Sequence, residues 1–173
     1  MKEDMDAWGV RSGHLWSVGH TRPRCEKKFA ALLLAEGISH YLPLLETQRR
    51  YDGRLKRSSR PLFPGYVFLH FTPHQRTRVF QQDLLARLIP VEDETRLLNQ
   101  LREVRRILAS GFAVAVQPLF TTGARVRVIN GPLAGLEGGV EDPSQPGKIV
   151  IAVDVLRQGL QLTLPIEHLH VLP

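Results

Sequence analysis

Two groups of side chains in this chain have the types and spacing to do chemistry, and the first is cationic. Arg22, Arg24, Lys27 and Lys28 lie close together, and the last three share one face of any helix that carries them. Arg49, Arg50, Arg54, Lys56, Arg57 and Arg60 crowd around an Asp52-Gly53 turn signal. Guanidinium and ammonium groups at this density bind phosphate by releasing counterions, a contact that carries no base-sequence information. The same spacing also suits a solvated face, and the residues alone leave both readings open. The second group is aromatic: Trp16 and the string Phe63-Pro-Gly-Tyr-Val-Phe68. Rings of this kind either fill a core or anchor a partner. Catalytic constellations are missing from the string of residues. There is no His-Glu-x-x-His, no Gly-x-Ser-x-Gly and no glycine-rich loop ending in Lys-Ser or Lys-Thr. Cys25 with His20 or His40 has the types of a nucleophile and a base, yet Cys25 falls beside an apolar helical stripe and reads as a packing cysteine. His168 and His170 share a strand face but lack a third ligand. No catalytic residue, metal site or cofactor is expected.

Composition narrows the class of protein. Of 173 residues, 43% are hydrophobic and 23% charged, the balance of a chain that folds around a core. The single cysteine, Cys25, excludes an internal disulfide and a cysteine-based zinc site. No apolar run approaches the roughly 18 residues that span a bilayer. Glu3, Asp4 and Asp6 lead into no apolar stretch, so no secretory signal is read and a cytoplasmic monomer is the expectation. The net charge of +6 is unevenly placed. Residues 1–110 carry 19 Lys+Arg against 12 Asp+Glu, whereas residues 111–173 carry four against five. All the excess positive charge lies in the first part, which points to two modules and a polyanionic partner for the amino-terminal one.

The elements that must position these residues follow from periodicity. Leu15–His20 reads as a strand; Thr21 and Pro23 then open a helix whose buried stripe is Phe29, Leu32 and Leu33, with Gly37 at its end. Ile38–Arg50 reads as a strand leading into the basic hairpin. In the next strand, alternation puts Tyr66, Phe68 and His70 on one face and Val67, Leu69 and Phe71 on the other. Thr72-Pro73 opens a short helix to about Gln82, Leu84–Val91 is a further strand, and Leu97, Leu98, Leu101, Val104, Ile107 and Leu108 keep helical spacing in a longer helix. Ser110–Thr122 keeps neither period and reads as a linker. Beyond it, short strands rich in β-branched residues alternate with Gly/Pro turns, the pattern of a small five-stranded barrel. The expected class is α+β: an α/β sandwich followed by an SH3-like β-barrel, with a flexible stretch over 1–14, a first domain over 15–109, a linker over 110–119 and the barrel over 120–173.

Several strings in this order carry a resemblance. Gly123-Ala-Arg-Val-Arg-Val-Ile-Asn-Gly-Pro-Leu-Ala-Gly-Leu-Glu-Gly-Gly-Val140, a strand, a tight turn and a strand, closely resembles the KOW motif. Phe63–Phe68, together with Trp16, Glu26, Lys27 and Tyr41-Leu-Pro43, resembles the amino-terminal (NGN) domain of the NusG family of transcription elongation and antitermination factors. The resemblance implies binding to RNA polymerase across its DNA cleft, with an apolar patch on the clamp helices made by Phe63, Tyr66, Phe68 and Trp16, joined by Leu88 and Ile89. It implies that Gln75, Arg76 and Thr77 touch the opposite side of the cleft. Upstream or non-template DNA would then meet Arg22, Arg24, Lys27 and Lys28, with Arg49, Arg50, Arg54, Lys56 and Arg57 of the hairpin either joining them or solubilising an exposed loop.

The KOW resemblance further implies that the loop Asn130, Gly131, Leu133 and Leu136 recruits a ribosomal protein or Rho. Many members have Phe where Leu133 and Leu136 stand, so this loop departs from that pattern and lacks their aromatic contacts. Gly131, Pro132, Gly135, Gly138 and Gly139 oppose a refolded helical form, at about 1 kcal/mol for each Gly and 3 for Pro. The basic first part and the absence of a glycine-aromatic pattern in Leu84–Val91 favour a specialised paralogue over the housekeeping member. The alternative, a ribosome- or RNA-binding KOW protein, is disfavoured by the slightly acidic barrel.

Overall fold

Two strands buried on both faces, residues 15–21 and 66–71, build the first half of the chain around a sheet. The computed structural model describes residues 8–119 and 123–173, the Gln82 side chain apart. The chain divides into two compact units, residues 1–94 and 95–173. In the first, strands β1 (Leu15–Thr21), β2 (Ser39–Tyr41), β5 (Tyr66–Phe71) and β6 (Leu85–Pro90) form an antiparallel sheet in the order β2-β5-β1-β6. Helix α1 (Glu26–Ala35) covers one face, where Phe29, Leu32 and Leu33 cluster with Val67, Leu69, Phe71 and Leu85. Gly19 permits this close approach, because a Cβ there would stand 2.8 Å from the Phe29 ring and 3.0 Å from Leu85.

Local chemistry shifts several expected boundaries. β1 runs through Thr21, so Thr21 does not cap α1; Arg24 turns the chain at φ 61°, and Cys25 precedes the helix. The expected strand 38–50 is broken at Leu42-Pro43 into β2 and β3 (Leu44–Tyr51), since proline has no N–H for a ladder. β3 pairs only with β4 (Arg54–Pro61), forming a separate two-stranded ribbon. The segment after Thr72-Pro73 is one short helix α2 (Arg76–Val79) between two 3-10 turns, Pro73–Gln75 and Gln81–Asp83. Of the stretch expected to be flexible, residues 1–7 lie outside the described residues. Trp8 is anchored: it is buried, with its ring 4.5 Å from Tyr41 and 6.3 Å from Trp16.

The second unit holds most of α3 (Glu94–Ser110) and a six-stranded antiparallel sheet ordered β12-β8-β9-β10-β11-β7. These strands are β7 (Val114–Pro118), β8 (Arg125–Val128), β9 (Glu137–Val140), β10 (Lys148–Val153), β11 (Gln158–Thr163) and β12 (Leu169–Val171). β7 lies inside the expected linker 110–119: it pairs with β11 in register from Val114↔Leu162 to Pro118↔Gln158, which adds a sixth strand. The division at Glu94/Thr95 also places α3 with the barrel, not with the domain it was expected to close. Polar groups of α3 bond to the barrel. Asp154 accepts from Gln100 and lies 2.6 Å from the Arg96 guanidinium, and Arg106 donates to the carbonyls of Pro132 (3.3 Å) and Ala134 (2.7 Å).

Candidate functional site

The register of β1 on β5 sets the aromatic face. Trp16 stands opposite His70, Val18 opposite Phe68 and His20 opposite Tyr66, so all six share one side, joined by Tyr41 from β2 and Ile89 from β6. Burial is graded along that face. Trp16 (2%), Phe63 (1%) and Phe68 (0%) are enclosed, which corrects the expectation that they present a docking surface. The Trp16 ring stacks on buried His70 at 4.9 Å, and Phe63 meets Phe68 edge to face at 6.5 Å. Such contacts complete a core. Leu88 is likewise corrected: it stands opposite Gly19 and packs against the cluster under α1. The far end of the face stays half open. There Tyr66 stacks on His20 at 5.0 Å and 18°, with Ile89 half-buried and Arg87 exposed opposite His20. His20 and Arg87 belong to this patch and were not read as part of it from the sequence, although His20 keeps the two-residue alternation of Trp16 and Val18.

The Pro64-Gly65 turn that carries Tyr66 is fixed from α1. Glu26 is buried, and its carboxylate accepts the Gly65 N–H at 2.7 Å while Gly65 adopts φ 87°. A helix and a strand-entry turn therefore position Tyr66 together.

The expected cations are all exposed, but they are not equivalent. Arg22 pairs with Asp83 at 2.8 Å, and Lys27 donates to the Ser59 carbonyl (2.6 Å) and hydroxyl (3.0 Å), tying α1 to the ribbon. Arg24, Lys28, Arg49, Arg50, Arg54, Lys56 and Arg57 make no ion pair among the described residues. Gln75 is engaged in accepting the Thr72 N–H at 2.9 Å, Arg76 lies over the Phe80 ring at 5.5 Å, and Thr77 is exposed. These three follow the end of β5 opposite to the one that carries Tyr66.

On the barrel, Asn130 and Gly131 are exposed, whereas Leu133 (1%) and Leu136 (0%) are buried. The loop folds back on β8, with Gly135 N–H bonded to the Val128 carbonyl and Val128 N–H to the Leu136 carbonyl, which turns both leucines inward. That corrects their reading as contact residues. The exposed large apolar groups described in this unit are Val116, Ile129, Ile166 and Val171, and the Ile129 N–H bonds the His168 carbonyl at 2.8 Å. A cleft of about 640 Å³ in this unit is lined by Arg96, Glu103, Arg125 and Glu137 among others. Its charges are largely spoken for: hydrogen bonding from Arg127 holds the Glu137 carboxyl below its ordinary range, with Arg125 acting in the same sense. Burial raises that of Glu103. No group of three or more His, Cys, Asp or Glu suited to a metal comes together among the described residues, and no described helix is long and apolar enough to cross a membrane.

A four-stranded sheet backed by α1, followed by a β-rich second unit, agrees with the family that the sequence matches. The model of NusG, described as transcription termination factor nusG, matches residues 14–120. The chain belongs to the NusG family. The match runs through α3 and β7 to the edge of the described barrel. The transcription termination/antitermination protein NusG of Pseudomonas aeruginosa is 28% identical over 119 residues, 65% of this chain and 67% of that protein. Among solved structures, one described as domain interaction in Thermotoga maritima NusG superposes with a TM-score of 0.51 at 19% identity, over 92% of this chain and 98% of that one. That likeness supports the fold: an α+β chain with a sandwich followed by a β-rich second part. The family is one of transcription factors that act in termination and antitermination.

Proposed function

We propose that this NusG-family chain binds RNA polymerase at the clamp helices through the open end of its aromatic sheet face, and holds the enzyme in a state that pauses and terminates less readily. The observation that carries this reading is the stacked His20–Tyr66 pair with Ile89, half-buried beside exposed Arg87, with His20 two residues before Arg22. A half-buried aromatic already held by stacking loses little rotamer freedom on docking, which suits it to anchor a partner helix. The exposed cations of α1 and the ribbon then meet upstream or non-template DNA. The barrel, presenting Asn130, Gly131, Ile129 and Ile166, recruits a second protein such as a ribosomal protein or Rho. The chain works as a cytoplasmic binding factor, with no catalytic step of its own.

Pull-down with core RNA polymerase tests the docking. Tyr66→Ala/Ile89→Ala lowers affinity by about 30-fold or more, the loss of roughly 2 kcal/mol expected at an anchor, while thermal melting stays cooperative. Retained binding by the folded double variant removes the assignment.

A further inference from the structure

The β3–β4 ribbon stands outside both larger sheets, and its register sorts its cations onto two faces. Arg49 lies opposite Lys56, Tyr51 opposite Arg54 and Leu45 opposite Arg60, which puts Arg49, Arg54, Lys56 and Arg60 on one face. Gln48 lies opposite Arg57 and Arg50 opposite Leu55, so Arg50 and Arg57 occupy the other, where Lys27 reaches Ser59. Between residues 49 and 60 the only carboxylate is Asp52, at the turn. None of the six cations forms an ion pair among the described residues, and the Arg49–Lys56 apposition sets like charges directly across the ladder, which costs stability. A ribbon that only needed solubility has no reason to oppose its charges so. A polyanion lying along both faces offsets that repulsion.

We propose that the ribbon inserts into the major groove of B-form duplex DNA, with one face toward each phosphate row. A two-stranded ribbon bearing side chains on both faces is about 10 Å thick, the spacing of packed sheets. The B-form major groove is about 12 Å wide and the minor about 6 Å, while the major groove of A-form RNA is too narrow to admit side chains. Eight residues per strand at about 3.4 Å each give a reach of roughly 27 Å. Single-stranded nucleic acid offers one backbone and no reason for two cationic faces. The proposal rests on the nucleic-acid reading above and specifies its ligand and geometry.

Fluorescence anisotropy with the full chain tests it, using a duplex of about 20 base pairs, the matching single strand and the matching RNA duplex, over roughly 50–200 mM salt. The DNA duplex is expected to bind tightest. Arg49→Gln/Lys56→Gln and Arg50→Gln/Arg57→Gln should each lower the log–log salt slope by about 2, at 0.9 per lost phosphate contact. The wild type should also protect guanine N7, a major-groove atom, from methylation. Both variants should melt at or above the wild-type temperature, so that weakened binding is read on folded protein. Tighter binding to single strands or RNA duplex, an effect confined to one face, or unprotected N7 overturns the groove. If the ribbon variants bind like the wild type while Arg24→Gln/Lys28→Gln weakens binding, the ribbon assignment fails and the broader reading stands. A wild type with no affinity for any of the three probes overturns both.

Discussion

His70 shows how one residue links the aromatic face to pH. It is 3% exposed, stacked on Trp16 with the His14 ring tilted against it at 5.1 Å, and its Nε2 has no hydrogen-bond partner among the described residues. Desolvation lowers its pKa below 6.5, helped by His14 and Arg11 and opposed by Glu94. A histidine whose folded value is depressed takes up its proton more readily when unfolded. Its contribution to stability is therefore complete above the unfolded value, near pH 6.5, and is lost as pH falls from there through the lower folded value. Melting temperature should drop as pH is lowered across that window. His70→Phe keeps the stack on Trp16, introduces no charge and leaves no orphaned nitrogen, so its melting temperature should change less over the same range. An equal drop in the variant would place the sensitivity on another group.

At the scale of elements, Gly19 fixes the distance between α1 and the sheet. Gly19→Ala puts a methyl into the space held by the Phe29 ring and Leu85, both fully or nearly fully buried. Overpacking of this kind costs about 1–3 kcal/mol, and denaturant unfolding should show that loss; a change within about 0.5 kcal/mol would mean that α1 shifts freely. Such elements explain what was legible in the sequence. The alternation Tyr66, Phe68, His70 against Val67, Leu69, Phe71 is a property of the strand itself, so the two faces of β5 were readable without coordinates. Depth of burial is a property of what lies over a face, so Trp16, Phe63 and Phe68 could be placed on the correct side of the sheet or turn and still be misread as a surface. Leu133 and Leu136 illustrate the same failure: a loop residue reads as exposed until backbone bonds such as Gly135 to Val128 fold it inward. β7 escaped notice because Ala115, Gln117 and Pro118 weaken its pattern, and its strand identity comes from pairing with β11, more than forty residues later. Of the candidate site, Tyr66, Ile89 and the exposed cations were legible from type and position, whereas the His20 stack required the register.

Across the whole molecule, the proposed apolar contact with polymerase and the proposed cationic contact with DNA should differ in their dependence on salt. Apolar burial of Tyr66 and Ile89 does not release counterions, while each phosphate bound by a ribbon cation does. The two contributions should therefore separate in one experiment on the full chain, with polymerase bound to a DNA scaffold. Tyr66→Ala/Ile89→Ala should shift the affinity at every salt concentration by a similar factor and leave the slope unchanged. Arg49→Gln/Lys56→Gln should flatten the slope by about 2 and converge on the wild type as salt rises and screening removes what the cations contribute. A slope altered by the apolar variant, or a salt-independent loss in the cationic one, would mean that the two surfaces do not act separately. The barrel, with four basic against five acidic residues beyond position 110, adds little to this slope. A contact made there through Ile129 and Ile166 should follow the salt-insensitive pattern, because its recognition rests on exposed apolar side chains rather than on charge.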